Sequence, residues 1–184
     1  MKFSADQARA ILESSEMVCS ATDVTAAVKR LASEITGTLG DRNPLVLGVM
    51  RGSVIFAGHL LPLLEFPLEF DYLDVTRYAG TTQGGAITWK VSPGTTVADR
   101  VVLVLDDILD QGHTLAAIRR KILEAGAESF YSAVFADKNI GSDKPVAADF
   151  VGVRLPNRYV FGFGMDVHGL WRNLPAVYAL REKQ

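Results

Sequence analysis

The apolar residues of this chain occur in two arrangements, unbroken runs and helically spaced positions. Unbroken runs rich in valine, leucine and alanine predict strands that are buried on both faces, at residues 45–50, 101–105 and 130–136. Helical spacing predicts helices at residues 24–39, from 53 to about 64, and at 115–126. Thr22 is the expected N-cap of the first helix. Strands that alternate with helices imply right-handed crossovers and a mainly parallel sheet, so the expected fold class is α/β.

Two further regions depart from this alternation. Residues 68–78 alternate between apolar and polar positions, and residues 86–91 repeat the pattern after a glycine-containing segment, which predicts a β-hairpin with a flexible tip. Beyond Lys138 the apolar pieces are shorter and are separated by prolines, at 149–153, 159–164 and 176–180. We expect residues 139–184 and the amino-terminal segment to form a small hood on a core of about residues 22–138, within a single domain that spans residues 1–184.

Composition and charge narrow the class of partner. Of the 184 residues, 22% are charged, and the formal net charge of −2 argues against a surface that binds nucleic acid through clustered lysine and arginine. No apolar run approaches about 18 residues, so no membrane span is expected. The single cysteine, Cys19, cannot form an intrachain disulfide and is expected to be a buried apolar residue, which suits a cytoplasmic protein. A small molecule is therefore the expected partner.

The strand predicted at 101–105 leads directly into a cluster of acids and a glycine turn. The sequence reads VVLVLDDILDQGHTL, and its carboxylates are those of Asp106, Asp107 and Asp110. In an open α/β sheet, ligands bind beyond the carboxyl ends of the strands, and the N–H groups of a turn before a helix can hold a phosphate. Three carboxylates beside an anion need a cation, so a magnesium-bound phosphorylated ligand explains the grouping. Solvated acids that cap a helix are the alternative interpretation.

Other candidate residues lie further along the chain. Asp166 is close to glycines and is followed by Arg172, a pair suited to a metal and a pyrophosphate, although a structural salt bridge is the alternative. Lys138, at the end of a predicted strand, can donate to a carbonyl oxygen or can be a surface lysine. The three histidines lack the spacing of zinc ligands, so no zinc site is expected.

The segment VVLVLDDILDQGHTL resembles the phosphoribosyl-pyrophosphate (PRPP) signature of the type I phosphoribosyltransferases. That signature consists of an apolar strand, two acids, two apolar residues, an aspartate, a small or polar residue, a glycine, a variable residue and a threonine. Further similar segments follow the family order, at residues 48–52, 76–80, 137–138, 149–152 and 159–166. Within the family, the chain is most similar to the bacterial enzymes that act on hypoxanthine and guanine.

The resemblance implies a fold and a reaction. The expected fold is a mainly parallel central sheet flanked by helices, with a small hood and a flexible β-hairpin loop. The expected reaction converts hypoxanthine or guanine and PRPP to IMP or GMP and pyrophosphate, with Mg²⁺ as cofactor. A homodimer or homotetramer is also implied.

The resemblance further implies a role for each matching position. Asp106 and Asp107 would hold the ribose hydroxyls, and with Asp166 they would bind the metal. Asp110 would be the general base, and Tyr78 would belong to the catalytic loop. The residues implied to bind PRPP and its 5′-phosphate are Asp106, Asp107, Leu109, Asp110, Gln111, Gly112, His113 and Thr114. Those implied to bind pyrophosphate are Arg51, Gly52 and Arg172, after a cis peptide bond at Met50–Arg51. Those implied to bind the purine are Lys138, Tyr159, Val160 and Asp166.

The chain departs from its relatives at three of these motifs. Arg77 occupies a position where many relatives have serine, His113 one where several have lysine, and Tyr159 one where phenylalanine is usual. Two other functions remain open from the sequence. One is a phosphoribosyltransferase that prefers xanthine or adenine, although the amino group of adenine offers Lys138 no acceptor. The other is a regulator that retains the fold and binds PRPP or a nucleotide without catalysis.

Overall fold

The structure is a computed structural model that describes residues 3–77 and 87–181. Its helices are α1 (Ala5–Glu13), α2 (Ala21–Leu39), α3 (Ser53–Leu60), which a 3₁₀ turn at Leu61–Leu63 extends, and α4 (His113–Glu124). Its strands are β1 (Glu16–Cys19), β2 (Leu45–Met50), β3 (Glu69–Arg77), β4 (Ile87–Val91), β5 (Val101–Leu109), β6 (Ser129–Asn139), β7 (Phe150–Pro156), β8 (Val160–Phe161) and β9 (Val177–Ala179).

Within the described residues, six strands form the main sheet in the order β4-β3-β2-β5-β6-β7. Every neighbouring pair is parallel except β3 and β4, which pair antiparallel as the arms of the expected hairpin. The tip of that hairpin, including Tyr78, lies outside the described residues. The arrangement confirms the α/β fold with a mainly parallel central sheet.

The central strand β5 is buried on both faces, as its sequence predicts. Leu103 and Leu105 pack into the core under α2 and α3, whereas Val102 and Val104 pack into the core under α4. This follows from the alternation of side chains along a strand. The strand is longer than the apolar run, because its pairing with β6 continues to Leu109 opposite Asp137. Asp106 and Asp107 are therefore the last part of the strand rather than the loop after it.

The helices begin at residues that differ slightly from the expectation. The N-cap of α2 is Ser20, not Thr22: the Ser20 hydroxyl accepts from the amide of Asp23, whose carboxylate accepts from the amide of Ser20, each at 3.2 Å. This reciprocal capping box satisfies two amides that the Thr22 side chain would leave open. Helix α4 begins at His113, two residues before the predicted start, since Gly112 adopts the left-handed conformation that turns the chain into the helix.

The hood is smaller than the sequence indicates. A three-stranded antiparallel sheet in the order β1-β9-β8 joins the amino-terminal segment to the tail, as expected. Residues 150–156, however, do not belong to it: β7 pairs parallel with β6 and is the edge strand of the main sheet. The predicted core boundary near residue 138 was wrong on this point, because short apolar pieces beyond Lys138 look alike whichever sheet they join.

The expected burial of Cys19 is confirmed. Cys19 is buried in the core under α2, and burial, followed by the charge of Asp23, raises the pKa of its thiol. Among the residues that the structure describes, no helix is long and apolar enough to cross a membrane.

Candidate active site

Two adjoining cavities open at the carboxyl ends of β2, β5 and β6. The larger, of about 440 Å³, is lined by residues 49–52, by residues 106–115 and by Asp166 and Arg172. The smaller, of about 200 Å³, is lined by Lys138, Tyr159, Val160 and Met165. Asp107, Asp110 and Asp166 line both. Together the cavities collect all the site residues predicted from the sequence except Tyr78, which lies outside the described residues.

The turn from β5 into α4 forms one wall of the larger cavity. Gly112 has a φ of 79°, which glycine adopts without strain, and a Cβ at this position would lie 3.3 Å from both Lys144 Cβ and Pro145 Cδ. Helix α4 begins at the next residue, so the N–H groups of its first turn and the positive end of its dipole are directed toward the cavity. This wall can hold a phosphate through backbone groups alone.

Asp106 and Asp107 lie in the last part of β5 and line the larger cavity. The amide of Asp107 donates to Asp106 Oδ1 at 3.0 Å, and the amide of Ile108 donates to Asp107 Oδ1 at 2.8 Å. Burial, and then the charge of Asp107, raises the pKa of Asp106 well above its usual value. Burial also raises the pKa of Asp107, against the hydrogen bond with Asp106 and the charge of Arg172. Two desolvated neighbouring carboxylates favour a site for a cation or for hydroxyl donors.

Arg172 links the two acids that face each other across the cavity. Its Nη1 lies 3.8 Å from Asp107 Oδ2 and donates to the carbonyl of Gly164 at 2.6 Å, while Nη2 donates to Asp166 Oδ1. The other oxygen of Asp166 accepts from the amide of Gly169 at 2.7 Å. The salt bridge considered from the sequence is therefore present. Because the guanidinium also lines the cavity, the pair can still contact an anionic ligand.

Glycines allow three segments to meet around this cavity. A Cβ on Gly52 would overlap the carboxylate of Asp107, and a Cβ on Gly164 would overlap the carbonyl of Gly52. The peptide bond between Met50 and Arg51, just before this contact, is cis, as the resemblance implies. Three segments therefore pack closely here: the loop after β2, the end of β5 and the segment before Asp166. Neither glycine position has space for a larger residue.

The smaller cavity is built around a lysine and an exposed aromatic ring. Lys138 is only 14% exposed, and its Nζ lies 3.2 Å from Asp110 Oδ1, so the two side chains face each other across the junction of the cavities. Tyr159 is 52% exposed, which leaves a face of its ring open to a flat ligand. Burial, followed by the charge of Asp166, raises the pKa of the Tyr159 hydroxyl. The smaller cavity is therefore lined by a carboxylate, an ammonium and an aromatic ring, which together suit a planar base that carries a carbonyl group.

Residues 16–168 match the family model described as the phosphoribosyl transferase domain. The chain belongs to this family. It is 35% identical over 163 residues to a hypoxanthine-guanine-xanthine phosphoribosyltransferase from Tritrichomonas foetus. The matched segment covers 87% of this chain and 88% of that enzyme. The chain is 31% identical over 169 residues to a hypoxanthine-guanine phosphoribosyltransferase from Streptococcus pneumoniae. This second match covers 91% of this chain and 94% of that enzyme.

Solved structures agree with this placement in the phosphoribosyltransferases. A hypoxanthine phosphoribosyltransferase from Staphylococcus aureus is 26% identical and superimposes with a TM-score of 0.87, over 94% of this chain and 95% of that one. The family expected from the PRPP-signature resemblance is thereby confirmed. The three departures noted in the motifs occur within a shared fold.

Lys144 is a residue of this phosphoribosyltransferase site that sequence reasoning missed. Its Nζ donates to the carbonyl of Leu109 at 2.7 Å, to the carbonyl of Lys138 at 2.7 Å and to Asp137 Oδ1 at 2.5 Å. A lone lysine in the loop after β6 carries no motif or periodicity in the sequence that could have identified it.

Trp171 was also missed, although its neighbour Arg172 was selected. Its indole Nε1 donates to the carbonyl of Ala8 in α1 at 2.9 Å, and its φ is 67°, an uncommon value for a bulky residue. Nearby, the ring of Phe3 stacks on His168 at 5.2 Å. The amino-terminal helix thus contacts the loop that carries Asp166 and Arg172.

Proposed function

We propose that this phosphoribosyltransferase transfers the phosphoribosyl group of PRPP to the 6-oxopurines hypoxanthine and guanine, and releases pyrophosphate. The observation that carries the proposal is the meeting of the two cavities at Asp110, with a phosphate-binding turn on one side and the Lys138–Tyr159 pocket on the other. A ribose placed at the junction would have its phosphate in one cavity and its C1′ beside the other. Within this proposal, residues 1–184 act as one phosphoribosyltransferase domain.

On the PRPP side, the proposed contacts follow the chemistry of each group. The turn from Leu109 to Thr114 holds the 5′-phosphate, and Asp106 and Asp107 accept hydrogen bonds from the ribose hydroxyls. Arg51, Gly52 and Arg172 bind the pyrophosphate. Arg172 fits this role because it lines the larger cavity beside Asp107. As the bond between C1′ and the pyrophosphate oxygen breaks, negative charge grows on the leaving group, and a fixed guanidinium stabilises it.

Mg²⁺ is the proposed cofactor, and the donor set fits it. Asp106, Asp107 and Asp166 all line the larger cavity, and Mg²⁺ in sites of this kind is bound by one or two carboxylates together with water and substrate oxygens. Asp106 and Asp107 would hold the ion, and Asp166 would contribute from the opposite wall. When bound, Mg²⁺ supplies positive charge to the pyrophosphate and the ribose hydroxyls. The raised pKa values of the two neighbouring acids support a need for that charge.

On the purine side, the chain's own residues orient the base and accept its proton. The ring of Tyr159 stacks on the purine, main-chain atoms of Val160 read its edge, and the Lys138 ammonium donates to O6. Asp110 accepts the proton of N7 while N9 forms its bond to C1′. The proton leaves the purine, the electron pair of the broken C1′–O bond leaves with pyrophosphate, and the charges balance. Tyr78, which the resemblance assigns to the catalytic loop, lies outside the described residues.

Xanthine is a second candidate base. Its support is the relative from Tritrichomonas foetus, whose name includes xanthine and which is 35% identical to this chain. Xanthine differs from guanine only at position 2, which is read by main-chain atoms in this proposal. Lys138 favours any of the three 6-oxopurines over adenine, because an amino group offers the ammonium no acceptor.

A homodimer or homotetramer is also proposed, in a cytoplasmic location. Large apolar side chains remain exposed on α3, on the 3₁₀ turn that extends it and on β3: Val54, Leu63, Phe70 and Tyr72. A second copy of the chain would bury such a surface. Light scattering that gives only a monomer at working concentrations would contradict the oligomer. The buried, unpaired Cys19 suits a reducing compartment.

Nucleotide binding tests the proposed function without requiring turnover. Titration calorimetry with IMP, GMP and AMP compares products that span both cavities and differ at position 6. We expect IMP and GMP to bind at least about tenfold more tightly than AMP, because the 6-amino group of AMP offers the largely buried Lys138 ammonium no acceptor, whereas the O6 atom of IMP or GMP does. The Lys138→Met variant is the matched control, in which this preference should disappear. Equal binding of all three nucleotides to the unaltered protein would contradict the proposal.

A further inference from the structure

Lys144 is a buried cation whose three N–H groups all have acceptors. Its side chain is 12% exposed, and its ammonium contacts the Leu109 and Lys138 carbonyls and the Asp137 carboxylate at 2.5–2.7 Å. An ammonium has three donors and no acceptor, so this set satisfies it completely. Such a group holds its partners firmly, since moving any of them would leave a desolvated charge unpaired.

The two carbonyls belong to the backbone that carries the proposed acid–base pair. Leu109 directly precedes Asp110, and the other carbonyl is that of Lys138 itself. The side chains of Asp110 and Lys138 face each other at 3.2 Å. The contacts therefore close a ring: Lys144 joins the two backbones beneath the cavity, and the Asp110–Lys138 contact joins the two side chains within it.

The same lysine also contacts the phosphate-binding turn. The space that a Cβ on Gly112 would occupy is bounded by Lys144 Cβ and Pro145 Cδ, each 3.3 Å away. This contact involves the stem of the side chain and not its charge. The stem thus packs against the turn proposed to hold the 5′-phosphate, while the ammonium bridges the carbonyls of Leu109 and Lys138 at the ends of β5 and β6.

We propose that Lys144 is a positioning residue for phosphoribosyl transfer: its ammonium fixes the backbones of Leu109 and Lys138 so that the Asp110 carboxylate and the Lys138 ammonium meet the same purine. This inference rests on the proposed function. Lys144 does not line either cavity, so it acts through its partners rather than by touching the substrate.

The test is a double-mutant cycle that combines Lys144→Met with Asp110→Asn. Methionine keeps most of the stem against Gly112 and removes only the charge and its three donors. We expect Lys144→Met to lower kcat/KM for the purine by about tenfold or more and to change KM for PRPP by less than about threefold. In the Asp110→Asn background, where the carboxylate no longer acts as a base, the same substitution should lower kcat/KM for the purine by less than about threefold. The control is Lys29→Met, an identical change at an exposed position of α2, which should leave all rates unchanged.

Three outcomes overturn the inference. They are an unchanged kcat/KM in Lys144→Met, a loss of equal size in both backgrounds, and a loss confined to KM for PRPP. Equal losses would assign Lys144 a general structural role. If Lys144→Met does not fold, Lys144→Arg takes its place in the cycle, since it keeps the charge but places it on a wider planar group. Turnover of the unaltered protein is measured first: its absence overturns the proposed function, whereas normal turnover with an unchanged Lys144→Met overturns only the role of Lys144.

Discussion

The Nζ atom of Lys138 lies 3.2 Å from Oδ1 of Asp110, at the junction of the two cavities. The strand ends beneath them hold the two residues there: β5 and β6 are paired up to Leu109 and Asp137, and each strand delivers one of the two side chains. In this position the lysine can donate to a carbonyl of a planar base while the aspartate accepts a proton from the same base. In the proposed function, this one pair both accepts the proton of the base and selects a base with a carbonyl group.

Replacing Asp110 with asparagine should remove the base and leave the ligand contacts. We expect kcat for hypoxanthine and guanine to fall by about 10² to 10⁴, the usual contribution of a general base. PRPP affinity should change little, because the backbone of the Leu109–Thr114 turn is unaltered. Steady-state kinetics and calorimetry with PRPP measure the two quantities. Normal turnover by Asp110→Asn would remove Asp110 from the mechanism.

Replacing Asp106 with asparagine should stabilise the ligand-free protein at neutral pH. The pKa of Asp106 is raised in the folded state, so the folded protein holds a proton that the unfolded chain releases. The free energy of unfolding therefore falls as the pH rises from the usual aspartate pKa, near 4, through the raised value. Thermal unfolding without Mg²⁺ or PRPP should show this decline in the unaltered protein.

In the Asp106→Asn variant, the free energy of unfolding should no longer show the fall with rising pH that Asp106 causes. Its melting temperature should be higher at neutral pH, by about 2–4 °C for each kcal/mol gained in a chain of this size, while its activity falls. The amide oxygen of asparagine can still accept from the amide of Asp107, so the local hydrogen bond is matched. A variant that is less stable than the unaltered protein at neutral pH would contradict a desolvated Asp106 with a raised pKa.

Tyr159 should contribute through its ring and not its hydroxyl. Tyr159→Ala should raise KM for the purine by a factor that corresponds to about 1–3 kcal/mol, the range for stacking of a base on an aromatic side chain. Tyr159→Phe is the matched control and should behave like the unaltered protein, since the ring is retained. A large effect of Tyr159→Phe on purine KM would instead assign the hydroxyl a direct contact.

The hydrogen bond from Trp171 to α1 should help to position the loop that carries Asp166 and Arg172. Trp171→Phe keeps an aromatic ring but removes the N–H that donates to Ala8, a hydrogen bond worth about 1 kcal/mol. We expect KM for PRPP to rise severalfold with little change in purine KM, because Arg172 lines the larger cavity and not the smaller. Trp89→Phe, at the other tryptophan, is the control. Equal effects of the two substitutions would refute a specific role of Trp171.

Much of the fold and most of the site could be predicted from the sequence, because their signals are local. The strand at 45–50 coincides with β2, since an unbroken apolar run between polar turns has few alternatives. The acids and the glycine turn lie at the carboxyl end of a central strand, and the carboxyl ends of parallel strands meet at one edge of a sheet. Asp106, Asp110 and Arg51 therefore line one cavity.

The remaining features depend on contacts between residues that are distant in the sequence. Whether residues 150–156 extend the main sheet or the hood depends on pairing with β6, which no local pattern encodes. Ser20 and Thr22 are both good N-caps by residue type, and the reciprocal bond with Asp23 decides between them. Lys144 and Trp171 donate to the backbone carbonyls of Leu109, Lys138 and Ala8. Because every residue has a carbonyl, the sequence does not show which one a side chain will contact.

Turnover of purine bases directly tests the proposed transfer of the phosphoribosyl group from PRPP to hypoxanthine and guanine. The protein is incubated with PRPP and Mg²⁺ and with each of hypoxanthine, guanine, xanthine and adenine in turn, and nucleotide and pyrophosphate are measured together. We expect IMP from hypoxanthine and GMP from guanine, with one pyrophosphate released for each nucleotide. The reaction should depend on Mg²⁺, and adenine should give no product. No nucleotide from any base, or AMP in preference to IMP and GMP, would contradict the proposed transfer.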